Sequence, residues 1–378
     1  MRFTPLRSRL LVALAATGLL IGAATAAGAA PPDDSTAPPT TTGALPTIAA
    51  TTVAAPTTAG APTTAAPTTV APTTTVAPTT TVAPAVTWPL TGVVVADASS
   101  YTPRPALVVK IDNGVNSHPQ SGLNQADIVF EEIVEGRVTR FGAVFNSMDS
   151  DPVGNIRSGR TQDVNLFGGL NNPIFAYSGG NAGVNAALGS SGFVLLTQGD
   201  GMFRVDGRGG APYNLYGNTS DFFQRGIAGG AGNATPVFEY LLPGTNRPAG
   251  APVSAVDIGI GSVSVRWDYD AAQNLWTRTQ NGDPHQVTDG QVGTNNVLVL
   301  AVPYQSSAAD SNSPEAQSIG SGPAFLYANG QKVEGTWSRA ARTDPFTLTD
   351  TNGAPIRLNA GRTFVELVDV NSYTLQDS

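Results

Sequence analysis

Along the chain the pattern of apolar and polar positions changes character twice. Residues 10–30 are an unbroken run of apolar or small side chains, preceded by Arg2, Arg7 and Arg9 and no acid. That is the layout of a secretory signal, with Ala24-Thr25-Ala26 as a small-residue cleavage site. A run of about 20 such residues can also just span a bilayer if left uncleaved, so membrane contact is expected only through this segment. From 31 to 87 the pattern disappears into Pro, Thr, Ala and Val, with the hexad Ala71-Pro72-Thr73-Thr74-Thr75-Val76 repeated at 77–82. Such a stretch cannot bury a core, and its prolines bias it to polyproline II, so a disordered, extended spacer on the order of 175 Å is expected. Thr/Pro-rich stalks are also typical O-glycosylation substrates.

Regular periodicities begin at residue 88. Residues 106–111 and 174–178 read as buried strands, and 128–134 with 138–145 as a hairpin around Gly136. Short helices are expected after Ser158, around 183–188, and over 220–225, with Ser220 as cap. Further on, 262–269 alternates strictly, with Val263, Val265, Trp267 and Tyr269 on one face, and 296–302 reads as a central strand. Asn281-Gly282, Asn329-Gly330 and Asn352-Gly353 are hairpin signals. The fold class expected is α+β: a mixed α/β first domain at 88–240, then an all-β second domain at 241–378 forming a small sandwich or curled sheet. The boundary is placed in the Gly/Pro-rich stretch 235–252.

Composition narrows the chemistry. The 378 residues include no cysteine, which excludes thiol nucleophiles, disulfides, Cys-ligated metals and a lipid anchored on cysteine. With 20 Lys+Arg against 28 Asp+Glu, the net charge of −8 argues against a nucleic-acid surface. There is no Gly-x-Ser-x-Gly elbow, Ser-x-x-Lys, P-loop, dinucleotide fingerprint or His-Glu-x-x-His. No cofactor or metal is expected, although carboxylates alone could still bind Mg²⁺ or Ca²⁺ or work as an acid/base pair. His118 and His285 fall in different units, each beside a proline, and read as loop histidines.

Two constellations remain. If Gly136-Arg137 is a two-residue turn, Ile133 opposes Arg140, and Glu131, Glu135 and Arg140 share one face. Cross-strand charge pairing explains that face as well as a site does. The segment Gly154-Asn155-Ile156-Arg157-Ser158-Gly159-Arg160 places two guanidinium forks beside an expected helix start, suited to a carboxylate or phosphate. Glu131 or Glu135 could equally be the anion it meets. Ser178-Gly179-Gly180-Asn181 and Ala211-Pro212-Tyr213-Asn214-Leu215-Tyr216 are polar loops that could close the same pocket.

At these residues the sequence resembles the YerB-like lipoprotein family, bacterial proteins whose two defining domains are of unknown function. The matching stretches include Ile111-Asp112-Asn113, Ala126-Asp127-Ile128-Val129-Phe130-Glu131, Thr139-Arg140-Phe141, Arg157-Ser158-Gly159-Arg160 and, in the second domain, Asn295-Asn296-Val297 and Gly335-Thr336-Trp337. The resemblance covers roughly 93–368. Members generally look cysteine-anchored, unlike this chain, and their Ala-Pro-His-Asn-Leu-Tyr motif appears here with Tyr213 in the histidine's place. The resemblance implies an exported two-domain envelope protein and no established activity.

Three functions are carried forward. The first is binding of an anionic partner, a wall glycan or peptide carboxylate, by Arg140, Arg157, Ser158 and Arg160, with Asp112, Asn113, Tyr213 and Asn214 nearby. The second is a carboxylate-dependent hydrolase or lyase of wall polysaccharide with Glu131 and Glu135, on one strand face, as acid and base. The third is a stalked adaptor in which these charges pair internally.

Overall fold

The computed structural model describes residues 85–378 apart from 246 and 248. The export signal at 1–30 and the stalk at 31–87, but for its last three residues, lie outside the described residues. The remainder is mainly strand with three short α-helices: α1 (Gln162–Leu166), α2 (Ala182–Gly189) and α3 (Thr219–Ala228). Among the described residues no helix is long and apolar enough to cross a membrane.

The first half contributes strands β1 (Leu107–Asp112), β2 (Ile128–Ile133), β3 (Thr139–Phe145), β4 (Ile174–Ala176) and β5 (Val194–Leu196). The second half contributes β6 (Ala255–Ile260), β7 (Val263–Asp270), β8 (Leu275–Gln280), β9 (Asn296–Val302), β10 (Gly320–Ala328), β11 (Gln331–Arg339), β12 (Thr347–Asp350), β13 (Thr363–Asp369) and β14 (Thr374–Asp377). Turn chemistry sets two hairpins: Asn281-Gly282 and Asn329-Gly330 each have positive φ at both residues, which joins β10 to β11 through the pair Ala328 and Gln331. Asn352-Gly353 differs. There the Asp350 carboxylate accepts from the backbone N–H of Asn352 and of Ala354, both at 2.8 Å, and ends β12 in a longer loop.

An eleven-stranded mixed sheet runs in the order β12-β11-β10-β9-β13-β2-β3-β1-β4-β5, with the short strand Ala251–Pro252 beside β11. β13, from near the C-terminus, lies parallel between β9 and β2, so the two halves of the sequence share one sheet. The strands of the second half thus do not form a sandwich by themselves. A six-stranded sheet built on β8-β7-β6-β14 covers one face of the large sheet, burying Trp267, Trp276 and Tyr327 with Val129, Phe141 and Phe364. The opposite face packs Phe130, Leu298 and Trp337 against Phe167, Phe238 and Phe346 from helices and loops. Gly142 on β3 permits this: a Cβ there would meet the Phe167 ring at 2.3 Å.

The β2–β3 hairpin corrects one expectation. Its connector is not the two-residue turn Gly136-Arg137; Ile133 pairs with Thr139, and Val134 N–H donates to Val138 at 2.8 Å across one 3-10 turn. The register therefore moves by one residue and Arg140 opposes Glu132, away from the Glu131 face. On that second face Lys110 pairs with both Glu132 and Asp163, and all three side chains are fully buried. One ammonium between two carboxylates leaves an excess negative charge, and burial together with the Asp163 charge pushes Glu132 up to about 7. Folding thus favours protonated Glu132: the stabilisation is complete below the ordinary carboxylate range and is lost as pH rises through about 7. Chemical denaturation between pH 5 and 8 should show stability falling with pH, and Glu132→Gln should flatten that slope; an unchanged slope would contradict the assignment.

Candidate functional site

Besides the Lys110 network, two polar clusters, one on each face of the large sheet, hold the residues singled out from the sequence. The basic cluster is assembled by the segment after Gly154, which threads between the ends of β1 and β4. Asp112 N–H donates to Asn155 at 3.2 Å, Arg157 N–H to Lys110 at 2.9 Å, and Ser178 N–H to Arg157 at 2.9 Å. This stitching holds Arg157, Ser158 and Arg160 beside the ends of β1 and β3. Arg157 Nε lies 3.1 Å from Asp112 Oδ2, which also accepts from Ser117 Oγ at 2.7 Å. The Tyr213 ring lies 5.5 Å from the Arg157 guanidinium carbon. Arg160 pairs with Glu135, which also accepts from Ser313 Oγ. Although burial works against it, the Arg160 and Ser313 hydrogen bonds hold Glu135 down to about 2.

Arg140 is the exception. It is only 7% exposed and makes no ion pair among the described residues. One Nη donates to the Ser158 carbonyl at 3.3 Å, and Nε has no partner. Burial, then the charges of Arg160 and Arg157, push its guanidinium down to about 10. Three guanidinium groups thus converge with two carboxylates, and both flanking arginines keep part of their surface in solvent: their side chains are 20% and 12% exposed.

The second cluster is sealed between the two sheets. Glu131 on β2 and Glu366 on β13 are register partners and fully buried, with Arg278 of β8 between them. Arg278 Nη2 is 2.6 Å from Glu131 and Nε is 3.9 Å from Glu366. Thr139 Oγ donates to Glu131 at 2.6 Å, Asn113 Nδ2 at 3.1 Å, and Trp267 Nε1 donates to Glu366 at 3.0 Å. Burial and the neighbouring Glu131 charge raise Glu366 well above the carboxylate range, so it remains a neutral acid. Phe141 and Phe364 lie 5.6 and 5.3 Å from the Arg278 guanidinium.

The structure separates several residues expected together. Glu131 and Glu135 fall in different clusters, the first sealed against Arg278 and the second tied to Arg160, so they form no facing acid/base pair. Asn113 turns to the sealed cluster, and Asn214 accepts from Arg204 at 2.7 Å. Ser158 is not a helix cap: α1 begins at Gln162 after Thr161, because the arginine segment is extended. Asn181 caps α2, accepting from Val184 N–H at 2.9 Å, and Ser220 lies inside α3 and bonds Asp151. His118 and His285, expected in separate loops, pack together with ring centroids 4.8 Å apart and planes tilted by 31°. Sequence reasoning missed Arg278, Gln280, His285 and Glu366; the available signal was β8, whose alternation buries Trp276, Arg278 and Gln280 together. No group of three metal-ligating His, Asp or Glu side chains occurs among the described residues.

Residues 90–230 match the N-terminal domain of the family described as "Protein of unknown function (DUF3048)", and residues 256–365 match its C-terminal domain. The chain is 28% identical over 263 residues to "Putative lipoprotein YerB" of Bacillus subtilis (strain 168), covering 66% of this chain and 77% of that protein. The crystal structure of the Bacillus subtilis YerB protein has a TM-score of 0.66 at 22% identity, covering 77% of this chain and 99% of the other. At that identity the likeness concerns the fold alone.

Arg278→Met should lower the unfolding free energy by about 3–5 kcal/mol, because it leaves Glu131 charged and buried. Adding Glu131→Gln should recover part of the loss, measured by urea denaturation. A loss under about 1 kcal/mol in the single variant would contradict the pairing.

Proposed function

The chain belongs to the DUF3048 family, carrying both its N-terminal and its C-terminal domain, and we propose that it is an exported envelope protein that binds an anionic, wall-associated ligand at Arg140, Arg157 and Arg160. Export is supported by the basic and apolar layout of residues 1–30 and by the lipoprotein description of its Bacillus subtilis relative. Since this chain has no cysteine, attachment would use the N-terminal segment rather than a lipidated thiol.

The observation that carries the reading is Arg140. Arg140 is buried beside Asp112 and Glu135 yet pairs with neither, and its guanidinium, which keeps its charge at neutral pH, makes one hydrogen bond, to the Ser158 carbonyl, so donors remain for an anion. Arg157 and Arg160 lie at the more exposed side and offer planar forks for a carboxylate or phosphate. Asp112 and Glu135 occupy part of that donor set; an entering anion would share Arg157 and Arg160 with them. Ser158 presents its carbonyl to Arg140, and Tyr213 covers Arg157. The ligand class is a wall glycan bearing an acid group, or a peptide carboxylate.

A stalked adaptor is the second reading, favoured by the ion pairs Arg157–Asp112 and Arg160–Glu135. Thermal melts with inorganic phosphate and with an acetylated dipeptide carboxylate separate the two. Ligand at 100 times its Kd should add about 2.7 kcal/mol of stability to the wild type, and the Arg157→Ala/Arg160→Ala variant should lose that gain. If neither anion raises the melting temperature, and the double variant is merely destabilised, the arginines only complete an internal network.

A further inference from the structure

Within the basic cluster the guanidinium donors are not equivalent. Arg160 has both terminal nitrogens engaged, Nη1 on the Gly159 carbonyl at 2.6 Å and Nη2 on Glu135. Arg157 differs: its Nε faces Asp112 Oδ2 at 3.1 Å, while Nη1 and Nη2 make no hydrogen bond among the described residues and neither is sealed from solvent. On Arg140, Nη1 donates to the Ser158 carbonyl and Nε is sealed, but Nη2 is likewise unengaged and not sealed. Asp112 links these two side chains, as register partner of Arg140 and ion pair of Arg157. The donors left to meet a ligand are therefore the terminal fork of Arg157 and Nη2 of Arg140.

Their setting restricts the ligand's shape. The Arg157 N–H donates to the Lys110 carbonyl and the Arg157 carbonyl accepts from Ser178, both at 2.9 Å, so the fork starts from a fixed backbone. The Tyr213 ring lies over the guanidinium and leaves its edge to an incoming group. That edge matches the two coplanar oxygens of a carboxylate.

Charge restricts it further. After burial, the groups acting most strongly on Arg140 are Arg160, Arg157, Asp112 and Glu135. Three guanidinium cations against two carboxylates leave one positive charge. The adjoining Lys110–Asp163 pair is neutral, and Glu132 beside it is protonated below about 7. One negative charge on the ligand completes the balance. A second would double the attraction but raise the cost of leaving water about fourfold, because that cost follows the square of the charge. We propose that the site selects a singly charged carboxylate over a dianion, seated edge-on in the Arg157 fork with Arg140 Nη2 as the third donor. The inference rests on the anion-binding reading above and narrows it.

Calorimetric titration of the full chain at pH 6 with N-acetyl-dialanine, methyl glucuronide and sulfate tests the selectivity, the first two presenting a peptide and a sugar carboxylate. At least one carboxylate should bind about tenfold more tightly than sulfate, and the tighter of the two identifies the source. The uncharged amide of N-acetyl-dialanine should not bind. Arg157→Lys keeps the charge but not the fork, and should weaken carboxylate binding about tenfold while narrowing the margin over sulfate. The wild-type comparison decides the question even if that variant fails to fold. Sulfate binding as tightly as both carboxylates, or an unaltered margin in folded Arg157→Lys, would overturn the selectivity and leave the anion site standing. If neither carboxylate nor sulfate binds, the inference falls together with the reading it rests on.

Discussion

The Arg278 guanidinium, held between the carboxyl groups of Glu131 and Glu366, is the contact on which the architecture turns. Placing β13 beside β2 sets two fully buried glutamates opposite each other. Such a pair cannot both ionise without a cation, and a cation cannot remain there without hydrogen bonds. The structure meets both conditions: one carboxylate is paired, the other stays protonated against Trp267, and three aromatic rings surround the guanidinium. Each partner comes from a different region, β2 from the first half, β8 from the covering sheet and β13 from near the C-terminus. The network therefore ties together the strands that make the two halves one sheet.

This arrangement explains why charged residues near one another in sequence serve different ends. Alternation along β2 sends Glu131 to the sealed face and Glu132 to the other, where Lys110 and Asp163 receive it. Asp112 and Asn113 divide in the same way, one to Arg157 and the next to Glu131. The interior networks fix the sheet, while in the basic cluster Arg140 keeps an Nε without a hydrogen-bond partner.

Local signals in the sequence were reliable where local physics decides the outcome. Asn329-Gly330 and Asn281-Gly282 form their hairpins because only residues tolerant of positive φ close two-residue turns. The alternation in β7 correctly separates buried Val263, Val265 and Trp267 from Ser264 and Arg266. The β2–β3 register was not legible, since one added residue in the connector reverses every facing pair. Nor could the sequence reveal Arg278 meeting Glu131 across 147 positions, or His285 packing against His118, because long-range pairing leaves no local period. The arginine segment was recognisable by composition; the unpaired state of Arg140 needed the three-dimensional arrangement.

The central claim is that the buried glutamate–arginine network makes the two halves one cooperative body. The most direct measurement follows denaturant unfolding of the full chain by two probes: tryptophan fluorescence, which includes Trp267 and Trp276 of the covering sheet, and hydrogen exchange at the amides of β1 and β3. Coincident transitions, with protection of β1 and β3 lost at the same denaturant concentration as the fluorescence change, are expected. A fluorescence transition that is complete while those amides remain protected would contradict it.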